Sequence, residues 1–217
     1  MLDDRPLLQD HPRALRLSLI LWALGGFLFV ALAVPSLADM VQAVDDWVYE
    51  LAVDLENDVV VAVAKALDLI GSTWVTAPIM VIVAVVLVVL RRWHGLAFWV
   101  LAMAVSQFLI GPMKLLYERE RPPMPLVETT SFSFPSGHAV AGAAIAVSLV
   151  IVLVPAGPKR RNLEMLAAAF AVLMALSRVY LRAHWLSDAA AGAALGVAVA
   201  IGAAALIHII DNLRNRA

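Results

Sequence analysis

Three short clusters hold the residues of this chain that could do chemistry. They are Lys114-x6-Arg121-Pro122, Pro135-Ser136-Gly137-His138, and Ser177-Arg178-x5-His184-x3-Asp188. Lysine offers a compact charge and arginine a planar fork, and both suit phosphate oxygens. Lys114 and Arg121 stand seven positions apart, so both point one way if the chain between them stays partly helical. In the second cluster Pro135 closes a loop, Ser136 fits an N-cap, and an apolar run begins at once. The first N–H groups of a helix lack intrahelical acceptors, and Gly137 leaves them open to an anion. His138 then stands beside that anion seat, where it can move a proton. In the third cluster His184 and Asp188 are four apart, which stacks them on a helical turn. A carboxylate on one imidazole nitrogen fixes the tautomer and frees the other nitrogen as a nucleophile.

Plainer readings exist for each cluster. They are a capped helix with an interfacial histidine, loop charges that pair with each other, and Asp188 as a first-turn carboxylate favoured by the helix dipole. Arg178 resists them, because a guanidinium at a helix end inside the membrane boundary needs a partner or a function. Arg119 and Arg182 read as rim cations paired with Glu118 or Glu120, and Trp185 and Tyr180 as interfacial aromatics. Two histidines and a carboxylate could form a metal triad. The surrounding cations would repel a metal ion, so a metal-free site without a cofactor is the better expectation.

The elements that must position these clusters are apolar. Of 217 residues 63% are hydrophobic, and the mean hydropathy is +0.88. Soluble domains are about half apolar, so the chain reads as an all-α integral membrane protein of one domain spanning residues 1–217. Hydrophobic segments suited to a bilayer fall at about 15–35, 73–90, 94–112, 138–155, 164–181 and 189–210, a six-helix bundle. The first lacks a clear cleavage site, so it reads as a retained helix. With no cysteine there is no disulfide and no thiolate nucleophile.

Basic residues set the expected orientation. Arg5, Arg13, Arg16, Arg91, Arg92, Lys159, Arg160, Arg161, Arg214 and Arg216 share one side under six spans. Lys65, Lys114, Arg119, Arg121, Arg178 and Arg182 fall on the other, mostly in or beside the motifs. Both termini are therefore expected in the cytoplasm of a plasma-membrane protein, with the motifs on the extracytoplasmic face. Of the five histidines, only His138 and His184 face outward, while His11, His94 and His208 fall on the cytoplasmic side.

Between the first two spans, residues 36–72 form the longest connection. Val41, Val44, Val48, Leu51 and Leu55 make a helical stripe, with Asp45, Asp46, Glu50 and Asp54 on the other faces. An interfacial helix and a solvated helix packed over the bundle fit equally well. Metal binding by these acids is the weaker reading, since charge runs are usually solvated. Residues 112–137, rich in proline and charge, read as a shaped loop, and 155–163 as a short turn. Gly192 and Gly196 form a G-x-x-x-G that suits packing within the bundle, with a homodimer contact as the lesser alternative. Nothing in the chain resembles a nucleic-acid-binding signature.

The three clusters, in this order and at the edges of hydrophobic segments, resemble the type 2 phosphatidic acid phosphatase superfamily. That family also includes bacterial acid phosphatases, glucose-6-phosphatase and vanadium haloperoxidases. The likeness covers roughly residues 110 to 190 and leaves no motif position unmatched. It implies a membrane lipid phosphate phosphatase without a metal. Lys114, Arg121, Arg178 and the N–H groups near Ser136 and Gly137 would hold the phosphoryl oxygens. His184, oriented by Asp188, would form a phosphohistidine, and His138 would protonate the leaving oxygen. Similar bacterial proteins act on undecaprenyl pyrophosphate, phosphatidylglycerol phosphate, phosphatidic acid or diacylglycerol pyrophosphate, and the motifs do not choose among them. A non-enzymatic lipid-phosphate binder or carrier would use the same basic pocket, and it is the alternative from another class.

Overall fold

A computed structural model describes residues 7–8, 11–155 and 157–214, and every regular element among them is a helix. Arg5 and Arg216, both used above for orientation, and the chain termini lie outside the described residues. The helices are α1 (His11–Ala33), α2 (Pro35–Asp54), α3 (Asp58–Gly71), α4 (Thr73–Val89), α5 (Trp93–Tyr117), α6 (Gly137–Leu153), α7 (Pro158–Tyr180) and α8 (Leu186–Arg214).

Four of them, α1, α5, α7 and α8, are long and apolar enough to cross a membrane. A fifth span results if α3 and α4, which meet at a 44° bend, count as one broken crossing. α6 is a shorter apolar helix. The six apolar segments expected from sequence thus correspond to α1, α4, α5, α6, α7 and α8, with shifted ends. α5 runs through Pro112 to Tyr117, where a proline-broken loop was expected. Bilayer-embedded helices tolerate proline because neighbouring groups re-satisfy the backbone. α7 starts at Pro158 inside the expected turn, since proline suits the first helical position.

α6 is the central element. It packs against α5, α7 and α8, and its buried residues fall on all faces rather than one stripe. Contact with α8 is closest. A Cβ on Gly192 would stand 2.7 Å from the Ser136 carbonyl oxygen, and one on Gly196 would stand 2.4 Å from that of Val140. The G-x-x-x-G therefore serves the bundle itself, and α6 fills the face that a second copy would need. Small residues allow such backbone approach where the surrounding solvent is apolar. Around this core, large side chains such as Trp74, Phe108, Leu115 and Leu116 face outward. An apolar exterior of this kind fits a hydrocarbon solvent rather than water.

The connection at 36–72 is two helices rather than one. α2 opens with Pro35 in its first turn, and α3 is capped by Asn57, whose side chain accepts from Val59 N at 2.9 Å. The α2–α3 junction is tied to α7 by Tyr180, whose hydroxyl accepts from Asn57 N and donates to the Leu55 carbonyl. Tyr180 is thus a structural tie and not only an interfacial ring. α2, α3 and α7 enclose an apolar groove of about 340 Å3, lined in part by Leu51, Val63, Leu67 and Leu176.

Candidate active site

The loop 118–136 and the α7–α8 turn lie against each other at one end of the bundle. Glu118 adopts a left-handed conformation (φ 42°) and ends α5, turning the chain back across α8. Leu126 N donates to the Leu181 carbonyl, Ser136 N to that of Asp188, and Trp185 Nε1 to that of Glu120. Phe134, fully buried, sits in an aromatic cluster with Phe29 of α1 and Tyr117 of α5, at centroid separations of 5.0 Å. Sequence spacing did not show this anchor.

His184 lies in the turn just before α8 and is buried. Its Nδ1 is 3.7 Å from Asp188 Oδ2, and its Nε2 is 3.2 Å from an Arg121 terminal nitrogen. A guanidinium has only donors, so Nε2 accepts and the ring proton belongs on Nδ1, facing the carboxylate. Burial is the main reason the His184 pKa is lowered to about 3, with Asp188 working in the opposite direction and Arg121 adding to the depression. The ring is therefore neutral near pH 7.

Asp188 is fully buried and does more than face His184. Oδ1 accepts from Arg119 at 2.6 Å, while Oδ2 accepts from Trp185 N at 2.9 Å and from the Ser133 hydroxyl. It is both a first-turn carboxylate of α8 and the partner of His184, so the two readings of this residue are compatible. Arg119 also pairs with Asp45 of α2 at 2.7 Å. Asp45 in turn accepts from Ser187 N and the Ser187 hydroxyl. Two expectations are corrected here. Arg119 pairs with neither Glu118 nor Glu120, because the left-handed turn at Glu118 carries it inward. Asp45 is buried rather than solvated. Arg182 likewise pairs with Glu56, at 2.9 Å.

Arg121 is the cation that meets the His184 ring edge. Arg121 donates through Nε to the Ser131 carbonyl at 2.6 Å and through a terminal nitrogen to that of Ala183. Lys114 Nζ donates to the Phe132 carbonyl, which also accepts weakly from Arg121. Burial, and then the nearby Arg178, hold the Arg121 pKa below its usual range. Arg178 pairs with Asp68 of α3, and the same Asp68 oxygen lies 3.1 Å from His138 Nε2. Gly71 lets α3 end against His138, since a Cβ there would stand 2.8 Å from the imidazole. Ser136 has the extended backbone of an N-cap without a side-chain cap bond. Its buried hydroxyl and the Arg178 Nε make no hydrogen bond among the described residues. At Gly137 a Cβ would meet only Ile110, at 3.6 Å, so protein packing leaves room for a side chain there.

Every motif residue singled out from sequence thus gathers at this end of the bundle. The missed residues are Asp45, Asp68, Ser133 and Ser187. Asp45 and Asp68 are contributed by the helices between the first two apolar segments, and no local spacing marks them.

Comparison with known proteins identifies the family and the fold. Phosphatidylglycerophosphatase B of Bacillus subtilis (strain 168) is 31% identical over 175 residues, covering 78% of this chain and 86% of that protein. The crystal structure of the first transmembrane PAP2 type phosphatidylglycerolphosphate phosphatase from Bacillus subtilis superposes with a TM-score of 0.75 at 28% identity. That match covers 90% of this chain and 96% of the other. The fold is also shared with Aquifex aeolicus LpxE, at TM-score 0.58 and 20% identity over 71% of this chain and 91% of the other. These neighbours and the apolar helices make the chain a multi-pass membrane protein. The PAP2 superfamily model matches residues 95–211, which is every motif and more than half of the sequence, so the chain belongs to the PAP2 superfamily.

Proposed function

We propose that this protein hydrolyses the phosphomonoester or pyrophosphate of a membrane lipid through a phosphohistidine on His184. The observation that carries the reading is the His184 ring. It is buried and neutral, Nδ1 faces Asp188, and Nε2 meets Arg121, which shares the Phe132 carbonyl with Lys114, while Arg178 and His138 meet at Asp68. Substrates of the phosphatidylglycerol phosphate, phosphatidic acid, diacylglycerol pyrophosphate and undecaprenyl pyrophosphate classes all present the required group. The named relative favours the first.

Nε2 of His184 attacks phosphorus while the bond to the lipid oxygen breaks, and His138 donates a proton to that oxygen. Water then attacks the phosphohistidine, His138 takes its proton, and inorganic phosphate leaves with Nε2 regenerated. Lys114, Arg121, Arg178, the Ser136 hydroxyl and the first N–H groups of α6 hold the phosphoryl oxygens. Preorganised donors of this kind contribute most where charge develops, and the proton transfer adds roughly 10²–10⁴-fold. Asp188 keeps the tautomer. In this scheme the cations do the work of a metal ion, so activity should survive EDTA and be inhibited by vanadate. Loss in chelator that a divalent ion restores would contradict it.

Six crossings, with α6 completing the set and α2 lying at the outer interface, are the topology the basic-residue bias supports. The active end then faces outward, and both termini face the cytoplasm. Cysteines placed singly at Thr129 and Asn162 should label oppositely with an impermeant reagent in intact cells. Labelling of position 162 alone would invert this topology. For the chemistry, rapid quench of a radioactive lipid phosphate should leave an acid-labile, base-stable label on wild type. Its presence on His184→Ala would reject the assignment.

A further inference from the structure

α3 brings to the site one group that the phosphoryl-transfer scheme does not use. Asp68 sits in the last turn of the helix, with its side chain 27% exposed. One of its oxygens, Oδ1, accepts from an Arg178 terminal nitrogen and lies 3.1 Å from His138 Nε2. Those are the groups that would grip a phosphoryl oxygen and protonate the leaving oxygen. Guanidinium recognises carboxylate and phosphate oxygens through the same fork. Two anions cannot share such a seat without strong repulsion at contact distance.

We infer that Asp68 is an internal counter-anion that holds a phosphoryl-oxygen position and must be displaced by substrate, so that free phosphate is held only weakly and leaves readily as product. The inference rests on the reading of this end of the bundle as a phosphoryl site. Displacement costs the same for every phosphate that enters. A lipid phosphate offsets that cost with binding free energy from parts remote from the reacting centre, whereas inorganic phosphate has none to draw on. The same helix that carries Asp68 lines the apolar groove with Val63 and Leu67, so anionic and apolar surfaces meet on one element. Release of the product is favoured for the same reason, since Asp68 returns to Arg178 as phosphate leaves.

The test measures binding separately from turnover. Purified wild type, Asp68→Asn, Asp68→Ala and the double variant Asp68→Asn/Arg178→Gln are titrated with inorganic phosphate by calorimetry in detergent. A seat held by its own carboxylate most of the time weakens apparent affinity in proportion. Both single variants should therefore bind phosphate about tenfold more tightly than wild type, and the double variant should lose that gain. Phosphate should inhibit lipid turnover at correspondingly lower concentration. Unchanged or weaker phosphate binding in both variants overturns the inference and makes Asp68 a support for Arg178 and His138. On wild type labelled with ¹³C-aspartate, added phosphate should shift a carboxylate infrared band, and no shift would also overturn it. Tighter phosphate binding without any lipid turnover would sustain the seat and reject the phosphatase reading. Turnover that depends on His184 with phosphate binding unaltered would do the reverse.

Discussion

The α6–α8 side of the site and the α2–α3 side use different materials. On the first, alanine and glycine bring two backbones into contact, the helix starts carry His138 and Asp188, and the turn before α8 carries His184. On the second, two amphipathic helices with many exposed residues each send one acid inward, Asp45 and Asp68. The groups proposed to react sit on the closely packed side. The groups that brace or compete with them sit on the looser one. Arg119 joins the two, with one terminal nitrogen on Asp188 and the other on Asp45.

Removing the reacting nitrogen tests the comparison most severely. His184→Ala should lower phosphate release from a lipid phosphate by at least about 10³-fold, as loss of a nucleophile or its base does in other enzymes. Phosphate binding by calorimetry should persist, because the cations remain. Loss of both would mean that His184 organises the seat.

Next comes the link. Arg119→Ala leaves Asp45 and Asp188 buried without their cation, and breaking a buried pair costs about 3–5 kcal/mol. Thermal unfolding in detergent should show that loss, and kcat should fall by roughly 10²-fold as the His184 ring loses its fixed orientation. A stability loss with kcat intact would separate Arg119 from the chemistry.

A smaller effect is expected from Gly196→Ala, which touches no motif. The new methyl meets the Val140 carbonyl oxygen and Ala143, and overpacking of this kind costs about 1–3 kcal/mol. Spreading α6 from α8 should lower kcat by roughly tenfold with little change in KM. A matched change of KM alone would place recognition on the α6–α8 side.

The effect spread most gradually, over pH rather than at one condition, is on acid stability. The His184 pKa is lowered to about 3, mainly by burial, while the unfolded chain takes up that proton near 6.5. Unfolding therefore binds a proton between those values, and stability falls as pH drops through that window, by at most about 1.4 kcal/mol per unit. His184→Gln should flatten the fall between pH 6.5 and 4 in denaturant titrations. An unchanged slope would assign it to other groups.

What could be read from sequence follows the range of the contacts. The motif residues were legible because four-residue spacing and helix starts place side chains locally, and because their types share one chemistry. The apolar segments were legible by length, although Pro112 and Pro158 misplaced two helix ends. Asp45 was hidden because it sits next to Asp46 and near Glu50, both exposed, and a charge run looks the same whether or not one member turns inward. Arg119 was misjudged because its nearest acids in sequence point elsewhere once Glu118 takes a left-handed conformation. Asp68 lies 70 residues from His138 and 110 from Arg178 (138 − 68 and 178 − 68), and only the packing of α3 on α6 and α7 brings them together.

The close approach at Gly192 and Gly196 has a consequence for how such a protein can change over generations. Backbone contact between α6 and α8 makes the part proposed to break the bond one stiff block with little tolerance for new side chains. α3 lies outside that block and meets it through Asp68, Gly71 and a few apolar residues. Substitutions there can retune how tightly phosphate is held while the α6–α8 geometry stays as it was. A change of grip need not require a change of teeth.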